Sequence, residues 1–211
     1  MTVDVTVRHN GTSTGTWALN EASVEKVARE RMIEVVTEID GRPLSRWACD
    51  GVVCATPTGS TAYAFSAGGP IVWPEVEALL MVPISAHALF AGPLVVSPQS
   101  VLAVEVLGSA GLAHEGVSRR SQTVGGVLWC DGRRSVDLAP GARVEVRRGT
   151  EPVLLARLCG GRVSGDGQAA AVPFTFTDRL VAKFGLPVSG WRGRAVKSAR
   201  QDGKEEPPAD A

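Results

Sequence analysis

The sequence predicts a mainly β protein built from two packed sheets with a few short helices. Two observations lead to this prediction: short segments in which apolar and polar residues alternate recur along the chain, and tight-turn sequences rich in Gly, Asn and Asp separate them. Alternation places the apolar side chains of a strand on one face, and two sheets bury such faces by packing together. An apolar content of 44% in 211 residues is sufficient for one substantial core.

Two hairpins are predicted in the first 48 residues. Residues 9–11 (His-Asn-Gly) and 40–43 (Asp-Gly-Arg-Pro) are typical turn sequences, and alternating segments flank both. The strands predicted for these hairpins are residues 3–7, 17–24, 31–40 and 44–48.

The rest of the chain adds further short strands and little helix. Apolar and β-branched runs predict strands at residues 52–55, 94–97, 101–107, 127–130, 143–148 and 153–158. Residues 75–80 are predicted to form a helical turn, and residues 177–184 a late helix capped by Thr177. Residues 108–124 and 160–173 have the composition of flexible loops. From about Ala195 the chain is charged and poor in apolar residues, so we expect one domain over residues 1–194 and a disordered tail over 195–211.

Charge and cysteine content exclude several function classes. The 22 basic residues balance 22 acidic ones, which argues against non-specific nucleic-acid binding. No apolar run reaches membrane-spanning length, and the first residues do not resemble a signal peptide, so we expect no membrane contact and a cytoplasmic location. Cysteines 49, 54, 130 and 159 show no metal-ligand spacing, and we expect them to be reduced and mostly buried, with no metal site in this chain.

The most informative segment is residues 56–66, which read Thr-Pro-Thr-Gly-Ser-Thr-Ala-Tyr-Ala-Phe-Ser after a short apolar strand. Ser60 or Thr61 is predicted to cap a helix that runs through Phe65 and ends at residues 68–70 (Gly-Gly-Pro). Backbone N–H groups at such a turn suit phosphate or sugar oxygens, and the ring of Tyr63 can lie against a base. The alternative is an ordinary capped helix after a strand, which the residues alone do not exclude.

This segment resembles the signature of the NAD kinase family, and three other segments are similar to the same family in the same order. Residues 17–23 contain its Asn-Glu motif, residues 83–90 and 92–94 match a downstream motif, and residues 176–180 with 190–193 look like its actinobacterial branch. The resemblance covers about residues 1–194 and implies the β-rich C-terminal domain of an NAD kinase, whose whole proteins combine an α/β domain with this one.

Family members also carry a Gly-Gly-Asp-Gly-Thr loop in an N-terminal α/β domain, and its Asp is the usual candidate for activating the ribose hydroxyl. No such loop precedes Asn20, and residues 165–167 (Gly-Asp-Gly) follow the other motifs and lack the flanking Gly and Thr. The resemblance therefore implies the C-terminal part of an NAD kinase that begins at an internal Met, with no catalytic residue of its own and little activity alone.

The resemblance assigns a set of residues to dinucleotide binding. An amide and a carboxylate, as in Asn20-Glu21, can bind ribose hydroxyls or an adenine amino group, and Asp50 matches a residue on the nicotinamide side. Each has a simpler alternative: a strand-end turn for Asn20-Glu21, a plain Asp-Gly bend for Asp50, and a structural role for His87, which the family places with Ser85 across a subunit contact. The expected NAD-binding residues are Asn20, Glu21, Asp50, Thr58, Ser60, Thr61, Ala62, Tyr63, Ser66, Ser85 and His87.

The resemblance implies transfer of the γ-phosphate of ATP, or of polyphosphate, to the adenosine ribose 2′-hydroxyl of NAD, with Mg²⁺ or another divalent ion. This chain would supply NAD binding and the contacts of a homo-oligomer, a dimer or tetramer. Two alternatives stay open: a non-catalytic dinucleotide-binding or assembly module, and a lipid kinase of the same superfamily, which the Asn-Glu motif and the full signature disfavour.

Overall fold

The structure is a computed structural model that describes residues 1–108, 125–154, 159–163, 169–173 and 175–186. It divides into two compact units, residues 1–154 and residues 155–211, and each is described by itself. Of the loop predicted for residues 108–124, Gly108 ends a strand and residues 109–124 lie outside the described residues, as does the tail predicted for 195–211.

The first unit contains two six-stranded antiparallel sheets. The strands of the first sheet are β1 (Val3–His9), β2 (Thr12–Ala18), β4 (Ile33–Ile39), β5 (Arg42–Cys49), β9 (Leu102–Gly108) and β12 (Arg143–Arg148). They lie in the order β2-β1-β12-β9-β4-β5.

The strands of the second sheet are β3 (Glu21–Glu25), β6 (Gly51–Ala55), β7 (Leu79–Ile84), β8 (Leu94–Val96), β10 (Gly126–Cys130) and β11 (Arg134–Leu138). They lie in the order β11-β10-β3-β6-β7-β8. The prediction of a mainly β protein with two sheets and few helices is confirmed.

One apolar core lies between the sheets, and a smaller one covers the outer face of the second sheet. Alternate residues such as Val5, Val35 and Met81 are buried in the first core. The second core joins the outward residues of β6 and β7 to Ala64 and Val72, which follow the signature segment. Strands β6 and β7 are therefore buried on both faces, which explains why their sequences are continuous apolar runs.

The predicted hairpin turns at Asn10-Gly11 and Asp40-Gly41 are confirmed. Both residues of each pair have positive φ, 48° and 76° for the first pair and 54° and 74° for the second. Gly and Asn or Asp tolerate this conformation best, and it matches the twist of the flanking strands.

The first predicted hairpin is correct in its turn and wrong in its second strand. Residues 17–24 were expected to pair back, but β1 pairs with residues 12–18, and Glu21 begins a strand of the other sheet. The chain crosses between the sheets at Leu19 and Asn20. Side chains distant in sequence hold this crossing, so local alternation does not reveal it.

One further prediction in this unit is wrong. Residues 75–80 form no helical turn, because Leu79 and Leu80 begin the fully buried strand β7. A short apolar run fits a buried strand as well as a helix, and here pairing with β6 decides. Of the strand predicted for residues 153–158, Val153 and Leu154 lie outside any strand, and residues 155–158 are not described, so the rest of that prediction stays untested.

In the second unit, residues predicted to be a loop form strands β13 (Cys159–Val163) and β14 (Ala169–Pro173), which pair with each other. The residues between them, which include 165–167, are not described. The late helix is confirmed as Phe176–Phe184, but its cap is Thr175 rather than Thr177. The Thr175 hydroxyl accepts the Asp178 N–H at 3.2 Å, and the Asp178 carboxylate accepts the Thr175 N–H at 2.9 Å. This reciprocal capping box fixes the start of the helix at Phe176, directly after Thr175.

Cys49, Cys54 and Cys130 are buried and reduced, as predicted, whereas the side chain of Cys159 is not described. Burial raises the pKa of Cys49 and of Cys54 to about 12, so both stay as thiols at neutral pH. No helix among the described residues is long and apolar enough to cross a membrane.

Candidate functional site

The signature segment joins the central strand β6 to a 3₁₀ turn at Gly59–Thr61 and a short helix, α1 (Tyr63–Ser66). Thr56 fastens it to the crossing between the sheets. Its hydroxyl donates to the Leu19 carbonyl at 2.8 Å, and its N–H donates to the Asn20 carbonyl at 2.9 Å. The Asn-Glu motif and the signature therefore lie side by side through backbone and hydroxyl contacts.

The prediction that Ser60 or Thr61 caps α1 is wrong. The residue before the helix is Ala62, and no side chain accepts from the helix start. The hydroxyl of Ser60 is instead buried, where it lies 2.7 Å from the Pro57 carbonyl and accepts the Val72 N–H at 2.9 Å. A helix of four residues carries little dipole, so the helix start offers no strong anion site.

The predicted end of this helix is confirmed. Gly68 adopts φ 88°, and the Gly69 N–H donates to the Ala64 carbonyl at 2.8 Å. The chain then returns across the second sheet, where Val72 packs with Ala64 over β6 and β7. Tyr63, next to Ala64, stays at the exposed edge of this smaller core.

An open cleft of about 390 Å³ lies on the outer face of the second sheet, beside α1. Along β3, Ala22 and Val24 point into the main core, so Glu21, Ser23 and Glu25 point to the opposite face. On this face the signature segment packs against β6 and β7, whereas Trp129 of β10 stays 36% exposed. The residues that line the cleft are Glu21, Ser23, Glu25, Tyr63, Trp129, Asp131 and Gly132.

Burial and three carboxylates influence the phenol of Tyr63. Burial raises the pKa of Tyr63, and the negative charges of Glu25, Asp50 and Glu21 raise it further. Tyr63 is therefore a neutral hydrogen-bond donor at physiological pH, and its ring is 36% exposed. Trp129, opposite Ser23 on β10, is exposed to the same extent. Two accessible aromatic rings and several carboxylates suit a planar ring and sugar hydroxyls.

Asp50 lies between β5 and β6, and neighbouring groups fix it on both sides. Its carboxylate is 2.6 Å from the Lys26 ammonium, its N–H donates to the Ile84 carbonyl at 2.9 Å, and its carbonyl accepts the Lys26 N–H at 3.0 Å. Asp50 is thus a paired carboxylate at the end of β7, next to Ser85.

Asp131, in the hairpin between β10 and β11, holds the Asn-Glu motif. Its carboxylate accepts the N–H groups of Leu19 at 2.9 Å, Asn20 at 2.7 Å and Glu21 at 3.4 Å. Arg134 donates to the same carboxylate at 2.9 Å. The motif is therefore positioned by a hairpin turn more than a hundred residues away in sequence.

The structure brings part of the predicted site together. Glu21 and Tyr63 line the cleft, Asn20 adjoins it at the crossing, and the charge of Asp50 acts on Tyr63. The remaining predicted residues do not line this cleft. They are Thr58, Thr61 and Ala62, which are half-buried, Ser60, which is buried, and Ser66, Ser85 and His87, which are exposed.

Five residues of the cleft were not predicted from the sequence: Ser23, Glu25, Trp129, Asp131 and Gly132. Ser23 and Glu25 follow Glu21 at intervals of two, and this spacing on a strand could have identified them. Trp129 and Asp131 carry no such local signal, because only the pairing of β10 with β3 brings them to the cleft. Among the described residues, no group of His, Cys, Asp or Glu side chains is placed to hold a metal ion.

The chain is similar in sequence to known NAD kinases. Residues 19–158 match the family model of the ATP-NAD kinase C-terminal domain. The chain is 64% identical over 194 residues to NAD kinase 2 of Streptomyces avermitilis, covering 92% of this chain and 56% of that protein. It is 60% identical over 202 residues to the NAD kinase of Thermobifida fusca, covering 93% and 54%. The chain thus spans about half the length of the curated relatives it matches.

Two solved structures have a similar fold. Yeast NADH kinase complexed with NADH superimposes with a TM-score of 0.59 at 32% identity, covering 69% of this chain and 39% of that one. An NAD kinase from Archaeoglobus fulgidus in complex with ATP gives a TM-score of 0.55 at 29% identity, covering 70% and 51%.

Proposed function

Since the chain belongs to the NAD kinase family, we propose that it provides the dinucleotide-binding part of an enzyme that phosphorylates the adenosine ribose 2′-hydroxyl of NAD. The observation that carries this proposal is the cleft beside the signature, where Tyr63 lies with the carboxylates of Glu21 and Glu25 and where the negative charge of Asp50 also acts on Tyr63. The donor in this proposal is ATP or polyphosphate.

The proposed roles follow from the chemistry of each side chain. The exposed ring of Tyr63 stacks on a planar ring of the ligand, and its phenol donates a hydrogen bond. The carboxylates of Glu21 and Asp50 accept ribose hydroxyls, and the amide of Asn20 both donates and accepts. Thr58, Thr61, Ala62 and Ser66 support the ligand from the signature, and Ser60 holds that turn from its buried position. Ser85 and His87, which do not line the cleft, reach the ligand across a subunit contact.

Phosphoryl transfer depends on positioning and on neutralisation of phosphate charge, which Mg²⁺ or another divalent ion supplies when bound. The described residues contain no cluster suited to such an ion. In this proposal the chain positions the acceptor NAD.

Replacing Tyr63 with alanine tests the proposed ligand contact. Stacking of an aromatic side chain on a base contributes about 1–3 kcal/mol, so we expect NAD to bind about tenfold more weakly or worse. Isothermal titration of the 211-residue chain with NAD measures this. The matched control is Phe65→Ala on the same helix, because Phe65 is 40% exposed and does not line the cleft. Equal affinity for NAD in wild type and Tyr63→Ala would contradict the proposed contact.

A second candidate function is a non-catalytic dinucleotide-binding or assembly module. No Gly-Gly-Asp-Gly-Thr run occurs in the sequence, so we expect the chain alone to bind NAD and to form little NADP from NAD and ATP. A coupled assay of NADP formation measures this, and robust turnover would contradict the expectation.

Mass measurement in solution tests the proposed homo-oligomer, for which the exposed Leu89 and Phe90 beyond β7 offer apolar surface.

A further inference from the structure

We infer that Asp131 is a positioning residue for dinucleotide binding, because it fixes the backbone of the Asn-Glu motif at the edge of the cleft. This inference rests on the proposed function. Asp131 itself lines the cleft together with Glu21. A displaced Asp131 carboxylate would therefore change the shape of the cleft and also remove the support of the Asn-Glu motif.

Asp131 both accepts hydrogen bonds from the Asn-Glu motif and donates one to it. Its carboxylate accepts three consecutive N–H groups, those of Leu19, Asn20 and Glu21, at distances from 2.7 to 3.4 Å. Its own N–H donates to the Glu21 carbonyl at 3.0 Å. The chain at this point has left one sheet and has only begun the next, so ladder hydrogen bonds do not serve all of these groups. One carboxylate supplies the acceptors that they need.

The charge of this carboxylate is balanced on its far side. Arg134 donates to it at 2.9 Å and lies 4.4 Å from the ring centroid of Trp17 on β2. Asp131 is 16% exposed and Arg134 is 39% exposed, so water screens the pair only in part. These two contacts of Arg134, with Trp17 and with Asp131, therefore connect strand β2, which precedes the crossing, to the backbone at the crossing and at the start of β3. Hydrogen bonds to an ionised acceptor are stronger than those between neutral groups.

The backbone of Asp131 limits which residues can replace it. Its φ is +53°, a conformation that Asn, Asp and Gly adopt most readily. Asp131→Asn therefore keeps the hairpin and one acceptor oxygen, but it removes the charge and directs an amide NH₂ toward groups that are themselves donors. This substitution isolates the carboxylate from the turn that carries it.

Asp40 offers a matched control in the hairpin between β4 and β5. It also precedes a Gly, has φ +54°, and accepts a backbone N–H, that of Val101, at 2.8 Å. Its carboxylate also accepts the Ser100 hydroxyl at 3.1 Å. Asp40 thus anchors a distant segment in the same way, but it does not line the cleft.

The experiment compares Asp131→Asn and Asp40→Asn with the wild-type chain in NAD titration, thermal unfolding and amide hydrogen exchange without ligand. We expect Asp131→Asn to weaken NAD binding about tenfold and to speed exchange at residues 19–21, since it loses charge-assisted hydrogen bonds. Asp40→Asn is expected to lower the melting temperature about as much as Asp131→Asn does and to leave NAD affinity unchanged. Arg134→Ala, which keeps the carboxylate, serves as a milder second variant with about threefold weaker binding.

The outcomes separate this inference from the proposed function. If wild type binds NAD and Asp131→Asn binds it equally well, the positioning role is overturned and the proposed function stands. An equal loss of affinity in both Asn variants would show a general loss of stability and would also overturn the role. A wild-type chain that does not bind NAD would overturn the proposed function and the role in binding together. Exchange at residues 19–21 would then report only whether Asp131 anchors the crossing.

Discussion

Gly59→Ala is expected to destabilise the protein by about 3 kcal/mol or more and to abolish NAD binding, because it inserts a methyl group into a backbone contact. A Cβ at position 59 would lie 2.0 Å from the Asn20 carbonyl oxygen and 2.5 Å from its carbon. Backbone atoms cannot move aside as the end of a flexible side chain can. Either the 3₁₀ turn or the crossing must shift, and the bonds from Thr56 to Leu19 and Asn20 would break.

Urea unfolding and NAD titration measure both consequences. Gly15→Ala is the matched control, since a Cβ at position 15 on strand β2 meets no atom within 4 Å and Gly15 does not have a positive φ. We expect this variant to stay within about 0.5 kcal/mol of wild type, as surface substitutions usually do. If Gly59→Ala unfolds at the wild-type urea concentration and binds NAD normally, the close contact between the signature and the Asn-Glu motif is wrong.

Trp47→Ala is expected to cost about 3–5 kcal/mol of unfolding free energy, the range for removal of a large buried aromatic side chain. Trp47 is fully buried, and its indole N–H donates to the Phe90 carbonyl at 2.9 Å. This bond ties β5, at the edge of the first sheet, to the segment that follows β7. The His87 N–H makes a second tie, to the Ala48 carbonyl at 2.9 Å. The substitution therefore removes core packing and loosens the segment that carries Ser85 and His87.

Chemical denaturation measures the stability, and limited chymotrypsin digestion measures the loosening, because the exposed Leu89 and Phe90 are suitable cleavage sites. Trp73→Ala is the control, since Trp73 is 45% exposed and its removal should cost less than about 1 kcal/mol. Trp47→Phe should lie between the two, because it keeps most of the packing and loses the indole hydrogen bond. Equal stability of Trp47→Ala and Trp73→Ala would contradict the assigned core position.

The candidate site was predictable from the sequence where a local pattern defines it. The signature and the Asn-Glu motif identified Asn20, Glu21 and Tyr63, which lie at or beside the cleft. The same reasoning misplaced the role of Ser60, because a hydroxyl before a helix usually caps it, whereas here it bonds to Val72 twelve residues later. Trp129 and Asp131 were not found, since their position depends on the pairing of β10 with β3.

The sequence by itself determined the fold class, most strands and the turns at Asn10-Gly11 and Asp40-Gly41, because alternation and backbone preference act over a few residues. Tertiary structure decided the crossing at Leu19 and Asn20, the strand at residues 79–84 and the hairpin formed by β13 and β14. At each of these points the local pattern fits more than one conformation. For the first two, the energy that selects one conformation comes from partners far along the chain: the Asp131 carboxylate for the crossing and β6 for residues 79–84. Strands β13 and β14 are selected by their pairing with each other.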